Sequence, residues 1–303
     1  SRGLGDVYKR QTFHLMRLAS QMDEFLEKPR EFPEKKTVLD FYFALRNFLN
    51  IYDLVDDHYV IYSQMTEEGQ FRIRLFCVDP SVNLQKCIDK SNSTIFFSAT
   101  LLPIGYYKRL LSTDEDNYAI YAQSTFAQTQ RFLAFGRDVS TKYTRRNRKE
   151  YEKIADYIGA VTEAQQGNYM VFFPSYRLMQ DVYEVFAGKA ADSCEILMQH
   201  SNMKEHEREA FLEEFEKERQ GTLVAFCVMG GIFGEGIDLK NDRLIGAIIV
   251  GTGLPQVSDE REILKNYYDE RGLSGFDYAF RYPGMNKVLQ AAGRVIRTSE
   301  DRG

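Results

Sequence analysis

Three runs in this chain, YMVFF at 169–173, TLVAFCV at 222–228 and LIGAIIV at 244–250, show no polar alternation. A strand with one face in water alternates with a period of two, whereas an unbroken apolar run is buried on both faces. Helical patterns separate the runs. One lies at 176–187, and another at 203–219 carries Phe211, Leu212 and Phe215 on one side. EILM at 195–198 reads as a further strand. The pattern predicts an α/β fold: a parallel sheet with helices on both faces, whose ligands lie at the loops following the strands' C-terminal ends.

Upstream the texture changes. FHLMRLASQMDEFLEK at 12–27 repeats apolar residues at helical spacing, Pro29 and Pro33 break the pattern, and 36–55 resumes it with Leu39, Phe43, Leu45, Phe48 and Leu49. HYVIYSQ and FRIRLFCV, either side of MTEEGQ, predict a hairpin. TIFF at 94–97 reads as a short buried strand ending in SAT. The opening SRGLGDVYKRQ lacks Met and pattern, reads as an assembly scar, and is set aside for the fold.

With 303 residues, 44% hydrophobic and 27% charged, the chain has room for two domains. Its apolar runs are too short to span a membrane, and it has no leader pattern. Four scattered cysteines without a CxxC pair read as free thiols, and four histidines without ligand spacing as structural or surface residues, so no metal is expected. The net charge is −5, so a nucleic-acid partner needs a local basic patch. KYTRRNRK at 142–149, with Lys142 and Arg145, offers one, or else a solvated helix start.

The post-strand segments carry the chemistry. PSYR follows the first apolar run, MGGIFGEGIDL the second and GTGLPQ the third. Glycine-rich loops let backbone N–H groups approach a phosphate, although tight turns use glycines equally well. Glu235 and Asp238 are acids in an otherwise apolar loop and need partners. Near the C-terminus, Val288, Leu289, Ala292, Val295 and Ile296 fall on one helical face. Gln290, Arg294 and Arg297 fall on the other, beside Gly293. Guanidinium forks suit phosphate. A solvated or salt-bridged stripe has the same spacing.

The order of these pieces carries a resemblance. SAT, FFPSY, GEGID and QAAGRVIR are similar to motifs III, IV, V and VI of superfamily 2 helicases, and the chain resembles the DinG/XPD type from about residue 75 to 303. FFSATLLPIGYYKRLL resembles that family's motif III with its extension, GEGIDL its motif V, and QAAGRVIR its motif VI. The resemblance implies a RecA-like sheet and a division into four parts. These are a scar at 1–11, the end of a helical arch-like insertion at 12–70, the end of motor domain one at 71–112, and motor domain two at 113–303. That last domain would stop one strand short, leaving a less protected sheet edge. The family's phosphate loop and DEAH box have no counterpart here. FAGKAA at 186–191 lacks the required glycine and hydroxyl, and DEFL at 23–26 lies on a helix.

The resemblance also implies roles for single residues. Arg297 is the arginine finger on the γ-phosphate, supported by Arg294 and Gln290. Glu235, Gly236 and Asp238, with Gly293, belong to the nucleotide side. Ser175, Tyr176, Arg177 and Gly234 meet the DNA strand, joined by Lys142 and Arg145. Ser98 and Thr100 couple the two. Tyr176 as a packed helix start, Asp238 as a turn cap and Ser98–Thr100 as strand-end caps remain open beside these roles. The implied cofactors are ATP and Mg²⁺, held mainly by upstream residues. An iron–sulphur cluster is possible in the parent protein, without ligands in this chain. The partners are single-stranded or forked DNA, with no membrane, and the motor is monomeric and cytoplasmic (nucleoid-associated if bacterial). This piece alone is expected to hydrolyse nothing. A non-catalytic interaction module and an RNA-acting motor are the other readings of the same residues.

Overall fold

A computed structural model describes residues 2–27, 31–66, 68–190, 194–234, 239 and 241–303. Two compact units emerge: Ser1–Ile95 with Lys108–Asp116, and Phe96–Tyr107 with Asn117–Gly303.

The first unit opens with helices α1 (Arg2–Leu26) and α2 (Lys35–Tyr52). Helix α1 runs back through the segment set aside as a scar, so those residues take part in secondary structure. The small core of the pair is Ala19, Leu45 and Leu49, with Leu15 and Met22 against it. Strands β1 (Tyr59–Met65) and β2 (Phe71–Cys77) form the expected antiparallel hairpin, with Tyr59 opposite Cys77 and Met65 opposite Phe71. Its turn closes through Thr66 N–H to the Gln70 carbonyl at 2.8 Å, with Gly69 at φ +78°. Helix α3 (Ser81–Ile88) comes next.

TIFF is not a strand. Residues 93–98 pair with no strand among the described residues, and Ile95 and Phe97 are 81% and 89% exposed. An apolar run becomes a strand only where a neighbouring ladder accepts its N–H and C=O groups, and none does here. Helix α4 (Ile104–Leu111) begins in the second unit. The boundary therefore differs from that expected at 112, because 96–107 is held by the second unit. The Tyr106 ring packs edge-on against Tyr278 at 5.1 Å and tilted against Tyr282 at 5.0 Å, and burial raises its phenol pKa to about 12.

The remaining elements are α5 (Arg148–Ala164), β3 (Asn168–Phe173), α6 (Tyr176–Ala190), β4 (Glu195–Met198), α7 (Glu205–Glu213), β5 (Leu223–Val228), β6 (Gly246–Ile249), α8 (Asp259–Glu270) and α9 (Tyr282–Ala292). The four strands form one parallel sheet in the order β4-β5-β3-β6. Alternate residues supply two cores. Met170, Phe172, Ala225 and Cys227 face Phe211, Phe215, Ala291 and Val295, which come from α7 and α9 and the residues just after them. Val171, Phe173, Val224 and Phe226 face Ile154, Ile158, Leu178, Val182 and Phe186 of α5 and α6. Both faces are thus covered, which is why β3 and β5 tolerate no polar alternation.

Local signals set the ends. Asn147 caps α5 by accepting from Glu150 N–H, and Ser258 caps α8 by accepting from Arg261 N–H. Helix α7 is shorter than its charged pattern. After Glu213 the chain tightens into i→i−3 turns, Phe215 N–H to Leu212 and Glu216 N–H to Glu213.

Candidate functional site

The C-terminal ends of the strands meet where the sequence placed the chemistry. After β3, Ser175 opens α6, its hydroxyl accepting from Leu178 N–H at 3.4 Å. Tyr176 is the first helical residue, and its hydroxyl accepts from Gln199 Nε2 at 2.9 Å. Arg177 beside it is exposed. Gln199 comes directly after β4, is 2% exposed, and accepts Val228 N–H through Oε1 at 2.8 Å. One buried amide therefore ties the ends of β3, β4 and β5 together. Tyr176 is both a packed helix start and an accessible ring at 40% exposure, and burial raises its phenol pKa.

The post-β5 loop turns at Gly230, with φ +68°. Gly234 is buried, and a Cβ there would lie 2.9 Å from Gly230 N. The loop's own backbone thus requires a glycine at this position. Among the described residues of the loop, Gly230 is the exposed glycine. Glu235, Gly236 and Asp238 lie outside the described residues.

Arg294 Nη2 donates to the Gly234 carbonyl at 2.8 Å. The stripe of Gln290, Arg294 and Arg297 is not a single helical face, however. Helix α9 ends at Ala292, with Gly293 as its C-cap, and both arginines lie beyond it. The buried side is Ala291 and Val295 with Val288 and Ile296 against the core, while Ala292 is exposed. The helical phase assumed in counting from Val288 to Ile296 is lost at the cap. A buried carboxylate shapes the turn beyond the cap. Asp301 accepts from Arg297 N–H and Thr298 N–H, both at 2.6 Å, and from the Thr298 hydroxyl at 2.8 Å. Gln130 Nε2 reaches the Ser299 and Asp301 carbonyls at 2.6 and 3.1 Å from outside.

Residues 158–303 match the helicase C-terminal domain family. Over 246 residues the chain is 25% identical to the ATP-dependent DNA helicase XPD of Sulfolobus acidocaldarius, covering 76% of this chain and 41% of that protein. It is 25% identical over 266 residues to the general transcription and DNA repair factor IIH helicase subunit XPD/RAD3 of Saccharomyces cerevisiae, covering 76% and 31%. An apo XPD structure superposes with a TM-score of 0.55 at 19% identity, over 90% of this chain and 57% of that one. A second XPD helicase structure gives 0.56 at 20% identity, over 90% and 51%. The chain is similar to the C-terminal region of XPD-type superfamily 2 helicases. It spans less than half the length of these curated relatives.

Ser98 is exposed and Thr100 half-buried, and the two are bonded to each other, Thr100 N–H donating to Ser98 Oγ at 3.2 Å. With no strand before them, they cap none. Asn286 of α9 links this segment to the motif VI helix. Its amide accepts from the Tyr107 hydroxyl and donates to the carbonyls of Leu102 and Thr100 at 3.2 and 3.3 Å.

The basic segment is divided. Arg145 is spoken for: Nη2 lies 3.1 Å from Glu150 Oε1, a carboxylate only 8% exposed. Lys142 is exposed. It adjoins the post-β6 loop, since a Cβ at Gly251 would lie 2.7 Å from Thr141 Oγ1. Sequence reasoning missed Gln199, Asn286 and Asp301. The one visible signal was a polar residue directly after an apolar strand, as at Gln199.

Proposed function

We propose that this chain is the C-terminal portion of an ATP-dependent DNA helicase that couples ATP hydrolysis to 5′→3′ movement on single-stranded DNA and to duplex unwinding in repair or replication. The supporting observation is the bond from Arg294 to the Gly234 carbonyl, which joins the motif VI turn to the motif V loop. A change on the nucleotide side is thereby handed to the loop at the strand ends. Arg297 is the arginine finger, its position set by Asp301 through the backbone. Arg294 positions the loop, and Gln290 supports the pair.

The donor set of two guanidiniums and an amide fits the oxygens of nucleotide phosphates. ATP, when bound, supplies the phosphoryl group. The residues of this chain orient it and balance its charge. No three His, Cys, Asp or Glu among the described residues group to hold a metal ion, so neither Mg²⁺ nor an iron–sulphur cluster is assigned ligands here. Ser175, Tyr176, Arg177 and Lys142 face the DNA strand, and Ser98 and Thr100 report to α9 through Asn286. No helix of the described residues is long and apolar enough to cross a membrane. The assignment is a monomeric cytoplasmic motor.

In the full-length protein carrying this chain, Arg297→Ala is expected to lower DNA-stimulated ATP turnover by about 10³-fold while single-stranded DNA binding stays within about twofold. Steady-state ATPase and fluorescence anisotropy read the two quantities. Equal loss of both refutes the finger role, and stimulation by RNA but not DNA refutes the substrate.

A further inference from the structure

Lys287 sits on α9, seven residues before Arg294, and both side chains lie against the post-β5 loop. Arg294 takes the Gly234 carbonyl at one end. At the other, a Cβ on Gly230 would stand 3.0 Å from Lys287 Cε, 3.1 Å from Cδ and 3.4 Å from Nζ. A Cβ on Gly253, in the loop after β6, would stand 3.5 Å from Lys287 Cβ and 3.3 Å from Met229 Sδ. Both glycines have positive φ, +68° and +62°. Two post-strand loops thus dispense with side chains along the path of one lysine stem.

Lys287 is half-buried as a residue, and among the described residues no carboxylate pairs with its ammonium group. A stem fenced in this way gives up rotamer freedom, so its charge is held in one place at the rim. The neighbourhood selects an anion with further contacts on either side. Gly230 is exposed, and the next residue, Gly231, would place a Cβ 3.3 Å from Gln199 Nε2, the amide that holds Tyr176. On the other flank Gly251 abuts Thr141, beside exposed Lys142. Tyr176, Gln199, Gly230, Lys287 and Lys142 therefore line the carboxyl edge of the sheet in sequence. An aromatic face and spaced ammonium groups along one edge suit a single-stranded polyanion.

We propose that Lys287 is a phosphate-binding residue on this edge, seated by Gly230 and Gly253, and that the phosphate belongs to a single-stranded DNA backbone. The inference rests on the proposed function as a DNA-translocating motor. Lys287→Met keeps the stem and removes the charge, and Lys287→Arg keeps the charge. Anisotropy titrations of a labelled oligo-dT over a salt series read affinity, and titrations of a fluorescent ATP analogue read the nucleotide arm.

The expectation for Lys287→Met is about fivefold weaker DNA binding at low salt and a salt slope shallower by about 0.7, the loss of one phosphate contact to a single strand. Lys287→Arg should keep the slope. Melting temperature and nucleotide binding should be those of wild type. Unchanged DNA affinity in Lys287→Met, in a protein that otherwise binds oligo-dT and loses affinity on Tyr176→Ala, overturns the inference alone. Weakened nucleotide binding with intact DNA binding also overturns it, by moving the phosphate to a nucleotide. A wild-type chain that fails to bind oligo-dT at all overturns the nucleic-acid reading itself.

Discussion

Asp301 shows how one buried carboxylate can decide where an arginine goes. It is 5% exposed and collects two backbone N–H groups and a hydroxyl within four residues of Arg297. Charge-assisted bonds of this kind are stronger than neutral ones, and removing the acceptor leaves buried donors unsatisfied. Asp301→Ala is therefore expected to cost about 2–4 kcal/mol in urea unfolding. The turn at 297–301 should loosen, which loss of amide-exchange protection at Arg297 and Thr298 would register. The arginines were legible from type and spacing as a candidate phosphate-binding stripe, with a solvated or salt-bridged stripe open beside it. Their anchor was not, because an acid four residues after an arginine is as common on a solvated surface as in a buried turn.

At the scale of the element, the start of α5 turns a basic run into a structural device. Glu150 accepts Ser140 N–H at 2.8 Å and the Arg145 guanidinium at 3.1 Å. The Ser140 N–H first, and then Arg145, hold its carboxyl below the usual carboxylate range. A depressed folded pKa contributes stability that is present above the unfolded value, about 4.3 for a glutamate, and is lost as pH falls through the folded value. Wild-type chain should therefore lose melting temperature on acidification through and below that range. Glu150→Gln should melt lower at neutral pH and show a shallower acid limb, and identical pH profiles would exclude this role. The five basic residues at 142–149 were visible in the sequence as one patch. Only packing separates Arg145, which serves Glu150, from Lys142, which faces outward.

For the whole molecule, stability is concentrated in the parallel sheet. Phe172, Phe173 and Phe226 are completely buried, each contributing about 3 kcal/mol by area. Among the described residues, the helix pair α1–α2 has three buried core residues. Hydrogen exchange should accordingly be slowest in β3 and β5 and fast in α1 and α2, and protection of α1–α2 equal to that of β5 would contradict this division. The apolar runs determined the sheet by themselves: a residue that cannot face water at any position of a strand leaves no alternative to cover on both sides. The same rule failed at TIFF, where apolar character met no ladder to complete. Tertiary structure alone decided that Gly234 serves its own loop, that α9 ends before the arginines, and that Lys287 lies across Gly230. The first two depend on local backbone geometry and the third on a contact between segments far apart in the chain, and periodicity carries no information about either.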